Sequence, residues 1–311
     1  MPPVIRRRVA VAAILAAVCA APLAGQQFRA GVDLVHLPVT VLDHEGKPVG
    51  GLTAEDFEVL EDGRRQEVAY FLAGSGTVER TLPLHLGLLL DASESMERDL
   101  RTASNAAVRF IDQLPEADDV TFVDFDTGIR ISRFSPASYP MLFERIRDRQ
   151  AGGGTALYDA LFRYVISTFD RPGQHVILLH SDGGDSTSER TFGDLQKLLR
   201  EADVVVYAVG YIQNQMRSSQ LAQQMRMTQI ARETGGDAYF PSSADDIDAV
   251  YERIRSEIAS RYTLGYVPTN PHVADGRFHK VEVRLTRDAP DGARVRTRSG
   301  YLVPARPGGR P

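Results

Sequence analysis

The sequence predicts an α/β fold: a doubly wound, mostly parallel sheet flanked by helices, with a smaller β-rich part contributed by both ends of the chain. Three observations carry that expectation. Leu84 to Leu90 is almost continuously apolar, as in a strand buried on both faces. From there to Ser260, short apolar runs alternate with segments whose apolar residues recur at helical spacing. Outside that region the period reverts to two, with turns rich in Gly, Asn, Asp and Pro between the runs.

The first residues read as an address. Arg6, Arg7 and Arg8 precede an apolar run from Val9 to Ala21, the layout of a secretory signal peptide over 1–25. The run is shorter than the roughly 20 apolar residues that a membrane-spanning helix needs. Cys19, the one cysteine in 311 residues, lies inside it. A cleaved, exported chain would therefore form no disulfide and would depend on its core.

Over 28–78, Val32 to Val41 alternates apolar and polar residues and Asp43-His44-Glu45-Gly46 supplies a turn. Phe57 to Leu60 resumes the alternation before Asp62-Gly63, and Ala73-Gly74-Ser75-Gly76-Thr77 reads as a linker. The region 82–260 opens with the strand at Leu84. A helix from Met96 to Leu114 places Leu100, Ala103, Ala107, Phe110, Ile111 and Leu114 on one face. Val120 to Phe125 and Ile129 to Phe134 are strands; Thr127-Gly128 is too short for a helical crossover, so they should pair antiparallel. Helices are expected at Tyr139 to Arg147, Ala156 to Phe169, Phe192 to Arg200, Leu221 to Glu233 and Asp245 to Ser260. The intervening strands are Val176 to Leu179, Val204 to Val209 and Ala238 to Phe240.

Over 261–303, strands return at Tyr262 to Val267, Phe278 to Leu285 and Ala293 to Val303. Three strands alone make a weak unit, so this segment is expected to pack with 28–78, with the α/β domain inserted between them. Residues 304–311, rich in Pro, Gly and Arg, read as a disordered tail. With 43% hydrophobic residues the chain can bury a core, and its net charge of −5 gives no basic field for nucleic acid or an anionic membrane.

The chemistry gathers where strands end. Asp91-Ala92-Ser93-Glu94-Ser95-Met96 follows the buried strand, and ligands of open parallel sheets collect at the carboxyl ends of strands. Alternate positions turn the Asp91 carboxylate and the Ser93 and Ser95 hydroxyls into one crevice. A second strand ends in His180-Ser181-Asp182-Gly183-Gly184-Asp185, adding a carboxylate if the strands are neighbours. Close carboxylates repel, and a divalent cation removes the conflict. The loop Gly152-Gly153-Gly154-Thr155 can approach closely and brings another hydroxyl. Taken singly, Asp91 and Ser93 fit a helix cap, and Asp182-Gly183-Gly184 a plain turn.

Together, Asp91-x-Ser93-x-Ser95, Gly153-Gly154-Thr155 before Ala156-Leu157-Tyr158-Asp159-Ala160, and Ser181-Asp182-Gly183 resemble the metal-ion-dependent adhesion site (MIDAS) of von Willebrand factor A (VWA) domains. Val39 to Asp43 and Phe57 to Gly63 are also similar to the secreted bacterial type of VWA-related protein. The resemblance implies a Rossmann-like VWA sheet and metal ligation by Asp91, Ser93, Ser95, Thr155 and Asp182. An all-oxygen set suits Mg²⁺, with Mn²⁺ or Ca²⁺ also compatible. It further implies an open coordination position, completed by an Asp or Glu of a partner protein. Glu94 departs from the glycine common at that position and is expected to point into water.

Other residues attract the bland reading: His180 as a strand-end residue, Asp185 as an outer neighbour or a solvated group, Asp124 and Asp126 as hairpin caps, and Tyr207, Tyr211 and Tyr239 as packing. The function expected is an exported, non-enzymatic adhesion-type module. The alternatives are a metal-dependent hydrolase, for which the sequence offers no P-loop, His-Glu-x-x-His or Gly-x-Ser-x-Gly motif, and a scaffold with a vestigial metal site.

Overall fold

The computed structural model describes residues 34–74, 82–114, 117–213, 216–269, 275–286 and 292–303. The expected signal segment with Cys19, part of the linker and the tail lie outside the described residues. No helix among the described residues is long and apolar enough to cross a membrane.

The centre is a sheet of six strands: β5 (Leu84–Asp91), β6 (Asp119–Phe125), β7 (Ile129–Phe134), β8 (Gln174–Ser181), β9 (Val204–Gly210) and β10 (Ala238–Tyr239), in the order β10-β9-β8-β5-β6-β7. All pairs are parallel except β6 with β7, which the three-residue connection Asp126-Thr127-Gly128 had required to be antiparallel. Every residue of β5 is buried, so the apolar run has no exposed face. One face of the sheet packs on α1 (Leu100–Asp112), α2 (Tyr139–Arg147) and α6 (Ala244–Ser260). The other packs on α3 (Leu157–Ile166), α4 (Phe192–Glu201) and α5 (Arg217–Glu233). Gly87 is required by that packing: a Cβ there would stand 2.3 Å from Cζ of the buried Tyr164 ring.

Both ends of the chain build two further sheets. β1 (Val35–Leu42), β4 (Val68–Leu72), β11 (Tyr262–Tyr266) and β13 (Arg294–Arg296) form one, in the order β13-β1-β11-β4. β2 (Phe57–Glu61), β3 (Arg64–Gln66), β12 (Phe278–Leu285) and β14 (Gly300–Leu302) form the other, in the order β14-β12-β2-β3. Their apolar residues, including Leu37, Val39, Val59, Leu264 and Val283, share one core. The run expected as a single strand from Ala293 to Val303 is two, because it leaves one sheet at Arg296 and enters the other at Gly300. The close approach there admits only glycine: a Cβ on Gly300 would lie 2.2 Å from the His279 carbonyl oxygen.

The sandwich is fixed to the α/β domain by charge. Arg296 of β13 reaches Asp237 at 3.0 Å and also pairs with Glu257, a fully buried residue of α6. Glu257 in turn accepts from the Tyr239 hydroxyl at 3.0 Å and pairs with Arg253. Glu257→Gln should therefore lower the unfolding free energy by about 1–3 kcal/mol, since the half-buried Arg296 loses a buried charged partner while keeping Asp237. Urea denaturation measures it, and a loss below about 1 kcal/mol would mean that the junction is screened like a surface pair.

Candidate functional site

The chain runs from β5 to β6 on one side and later returns to place β8 on the other, so the strand order reverses between β5 and β8. That reversal opens a crevice at their carboxyl ends. The register pairs Leu90 with His180, which sets Asp91 beside Ser181 and brings Asp182 to the same edge. Asp91, Ser93 and Asp182 are almost wholly buried, Thr155 is 6% exposed, and Ser95 lies at the open surface.

Asp91 is held at both oxygens. Its Oδ1 accepts from the Ser93 amide at 3.0 Å, and its Oδ2 accepts from the Ser181 hydroxyl at 2.6 Å. The Ser93 and Ser95 hydroxyls lie 3.1 Å apart. The glycine loop is tied down beside them, with Gly152 N–H donating to the Ala92 carbonyl at 2.9 Å and Glu94 N–H to the Gly153 carbonyl at 3.1 Å. Gly153 adopts a left-handed φ of 74°, and a Cβ on it would press to 2.8 Å from Oγ1 of Thr127. Thr155 is pinned through its backbone: its amide donates to Ser186 Oγ at 2.9 Å, and its carbonyl accepts from the Ser186 and Thr187 amides. Asp182 Oδ1 accepts from the Gly184 amide at 2.7 Å.

Burial pushes the Asp91 carboxyl up to about 7; the Ser181 and Ser93 hydrogen bonds oppose this and the charge of Asp182 adds to it. Among the described residues no basic side chain pairs with Asp91 or Asp182. Two neighbouring carboxylates are thus buried together without a positive counterpart among the described residues, an arrangement that favours either a proton or a cation. Among the described residues no three His, Cys, Asp or Glu side chains cluster as metal ligands, so a cation here would depend on the hydroxyls as well. Oxygen donors of this kind fit a hard divalent ion.

Neighbouring residues divide as follows. The Glu94 side chain is exposed. His180 is buried, its ring within 3.3 Å of the Tyr211 hydroxyl and 3.1 Å of the Tyr251 hydroxyl, and burial pushes its pKa down to about 3. It is a neutral core residue. Asp185 accepts from the Tyr158 amide at the start of α3 and from Ser188. Asp126 accepts from the Gly128 amide at 2.7 Å and so caps the hairpin, while it and the buried Asp124 also gather Arg130 and Arg149. Tyr207 and Tyr211 are buried in the core, and Tyr239 packs against it. Ser181, Thr127 and Ser186 also hold the crevice together, and of the three only Ser181, directly before Asp182, stands in a motif visible in the sequence.

An open α/β sheet with an oxygen-lined crevice at its strand reversal defines the class. Residues 85–257 match the von Willebrand factor type A domain, and the chain belongs to that family. Among solved structures, a von Willebrand factor type A protein from Catenulispora acidiphila is 13% identical over 88% of this chain and 73% of its own, with a TM-score of 0.49. The PilB minor pilin from Streptococcus sanguinis is 13% identical over 63% of this chain and 65% of its own, with a TM-score of 0.45. Proximal thread matrix protein 1 from the mussel byssus, solved with zinc in its MIDAS motif, is 19% identical over 60% of this chain and 47% of its own, with a TM-score of 0.46. This chain therefore spans less than two thirds of the pilin and of the byssus protein. A comparison with curated proteins finds no match.

The electrostatics predict a sign. Without metal, the folded-state pKa of Asp91, about 7, stands above its unfolded value, so the protein loses stability as pH rises toward and through 7. Asp91→Asn removes that dependence. In chelator at pH 8 the variant should be at least as stable as wild type, and the gap should close as pH falls toward about 4. Thermal melts across pH measure it; a wild type that gains on the variant with rising pH in chelator would refute the unpaired-carboxylate account.

Proposed function

We propose that this protein is an exported, metal-dependent protein-binding module. Asp91, Ser93, Ser95, Thr155 and Asp182 would hold a divalent cation, Mg²⁺ by preference, and an acidic side chain of a partner protein would complete the coordination. One observation carries the reading: the buried Asp91 and Asp182 stand together at the strand reversal, flanked by hydroxyls and without a basic counterpart among the described residues. With the hydroxyls in direct contact and Asp91 and Asp182 binding through water, neutral ligands would leave the cation's charge incompletely screened at close range, which makes a partner's carboxylate attractive. Export rests on the arginine-led apolar run before Gln26.

Binding is favoured over hydrolysis because His180, the histidine next to the motif in sequence, packs against Tyr211 and Tyr251 and offers no base to the crevice. Metal-assisted hydrolysis needs a base or nucleophile beside the cation. Nothing in the strand arrangement favours the scaffold reading.

Mg²⁺ should raise the melting temperature of wild type and leave Asp91→Ala unmoved; at a hundredfold excess over Kd the gain is about 2.7 kcal/mol. Capture of a partner from an envelope fraction should be lost in EDTA, be restored by Mg²⁺ and fail with Asp91→Ala. Identical melting of wild type with and without millimolar Mg²⁺, Mn²⁺ or Ca²⁺ would overturn the metal assignment.

A further inference from the structure

α5 is apolar on two sides. Met227, Ile230 and Ala231 are buried against the sheet, while Leu221 and Met225, one turn apart on the outer side, are 65% and 64% exposed. The outer stripe continues through Gln224, Thr228, Gln229 and Arg232 at helical spacing and forms one wall of a groove of about 910 Å³. The facing wall comes from α4 and the sandwich: Arg200, Ser299, and Phe278 at the start of β12, which is 39% exposed. Large apolar side chains gathered on the walls of one concavity mark a contact surface, unlike single apolar residues scattered over a surface. Methionine adds a flexible side chain that adapts to differently shaped apolar groups.

The charge at this groove is positive on a chain whose net charge is −5. Glu233, the one acidic residue lining it among the described residues, is held at both oxygens by Arg200, at 2.9 and 3.1 Å. Arg232 on the wall, and Arg217, one turn before Leu221 on the same stripe, are exposed and make no ion pair among the described residues. An apolar groove edged by unpaired cations fits a segment that carries apolar side chains and carboxylates together, as a short stretch of protein does. A flat bilayer does not enter a concavity walled by Phe278 and Arg200.

We propose that this groove is a second docking surface for a protein partner. It takes a segment whose large apolar side chains seat between Leu221, Met225 and Phe278 and whose carboxylates pair with Arg217 and Arg232. The inference rests on the protein-binding reading for the kind of partner, but the contact itself needs no metal. α5 also borders the crevice, where Arg226 Nη1 donates to the Gly183 carbonyl at 3.4 Å, so a partner held at the crevice lies beside this helix.

Selection of short random peptides on the full chain in EDTA tests this, because the chelator keeps a failure of the metal reading separate from a failure of the groove. Selected peptides should be enriched in Leu, Met or Phe together with Asp or Glu, and synthetic copies should bind in fluorescence anisotropy with a Kd of about 100 μM or tighter. Met225→Glu and Arg232→Glu, both at exposed positions, should keep the wild-type melting temperature and each weaken the peptides at least about tenfold. Selected peptides that are basic or lack large apolar residues, or that bind both variants as tightly as wild type, would overturn the proposal. Displacement of the peptides by a synthetic copy of residues 304–311 would give the groove to the chain's own tail, and a dimer in sedimentation that Met225→Glu abolishes would give it to a second copy; either result also overturns it.

Discussion

The pairing of β5 with β8 is the constraint from which the site follows. The two strands run parallel from Leu84 opposite Gln174 to Leu90 opposite His180, with helices packed on both faces. A slip of one residue would turn each buried side chain to the other face, so the apolar content of the strands locks the register. That register carries Asp91 to Ser181 and Asp182. Two carboxylates are thereby forced into each other's field, a cost set against the apolar surface the strands bury on both faces.

The two ends of the sheet bury different sets of charged groups. At the carboxyl end the charged groups buried together are acids, Asp91 and Asp182. At the amino end and along the junction with the sandwich they include the arginines Arg261 and Arg298, whose Nη1 donates to the Ala202 carbonyl at 3.1 Å, and Glu257, which pairs with the half-buried Arg296. Where the sandwich meets the α/β domain it does so through guanidinium groups reaching carboxylates and carbonyl oxygens, with its own apolar residues kept in a separate core. Directional contacts of this kind fix orientation as well as attachment.

Periodicity made much of this legible. α2 begins at Tyr139 and ends at Arg147 as its spacing implied, and the β6–β7 hairpin followed from a connection too short for a helix. Where local chemistry competes with periodicity, the sequence misled. The helix expected from Met96 starts at Leu100, after a 3-10 turn over Glu94–Met96, because the Asp91 and Ser93 groups organise the preceding backbone around themselves. β3 was invisible because Arg64, Arg65 and Gln66 carry no alternation, and only pairing with β2 makes them a strand. At the site the motif named the crevice residues, but Thr127, Ser186 and Ser181 act by holding a backbone or a carboxylate, and hydroxyl residues are too common for sequence alone to assign such work. Nor can a period say which arginine meets Glu257.

On the proposed reading, the mixture of donors at the crevice has its own logic. A set made wholly of carboxylates would neutralise a divalent cation, and a further acidic group from a partner would then meet net repulsion. Two carboxylates fixed by hydrogen bonds, with hydroxyls completing the set, hold the ion by geometry while leaving it able to accept another anion. Glu94 tests this balance by adding a negative charge at the rim. Its side chain stands in water, where the field it casts on the ion is screened far more than that of the buried Asp91 and Asp182. Burial, and not the number of acidic residues near the motif, decides how much positive charge the site would keep for its partner.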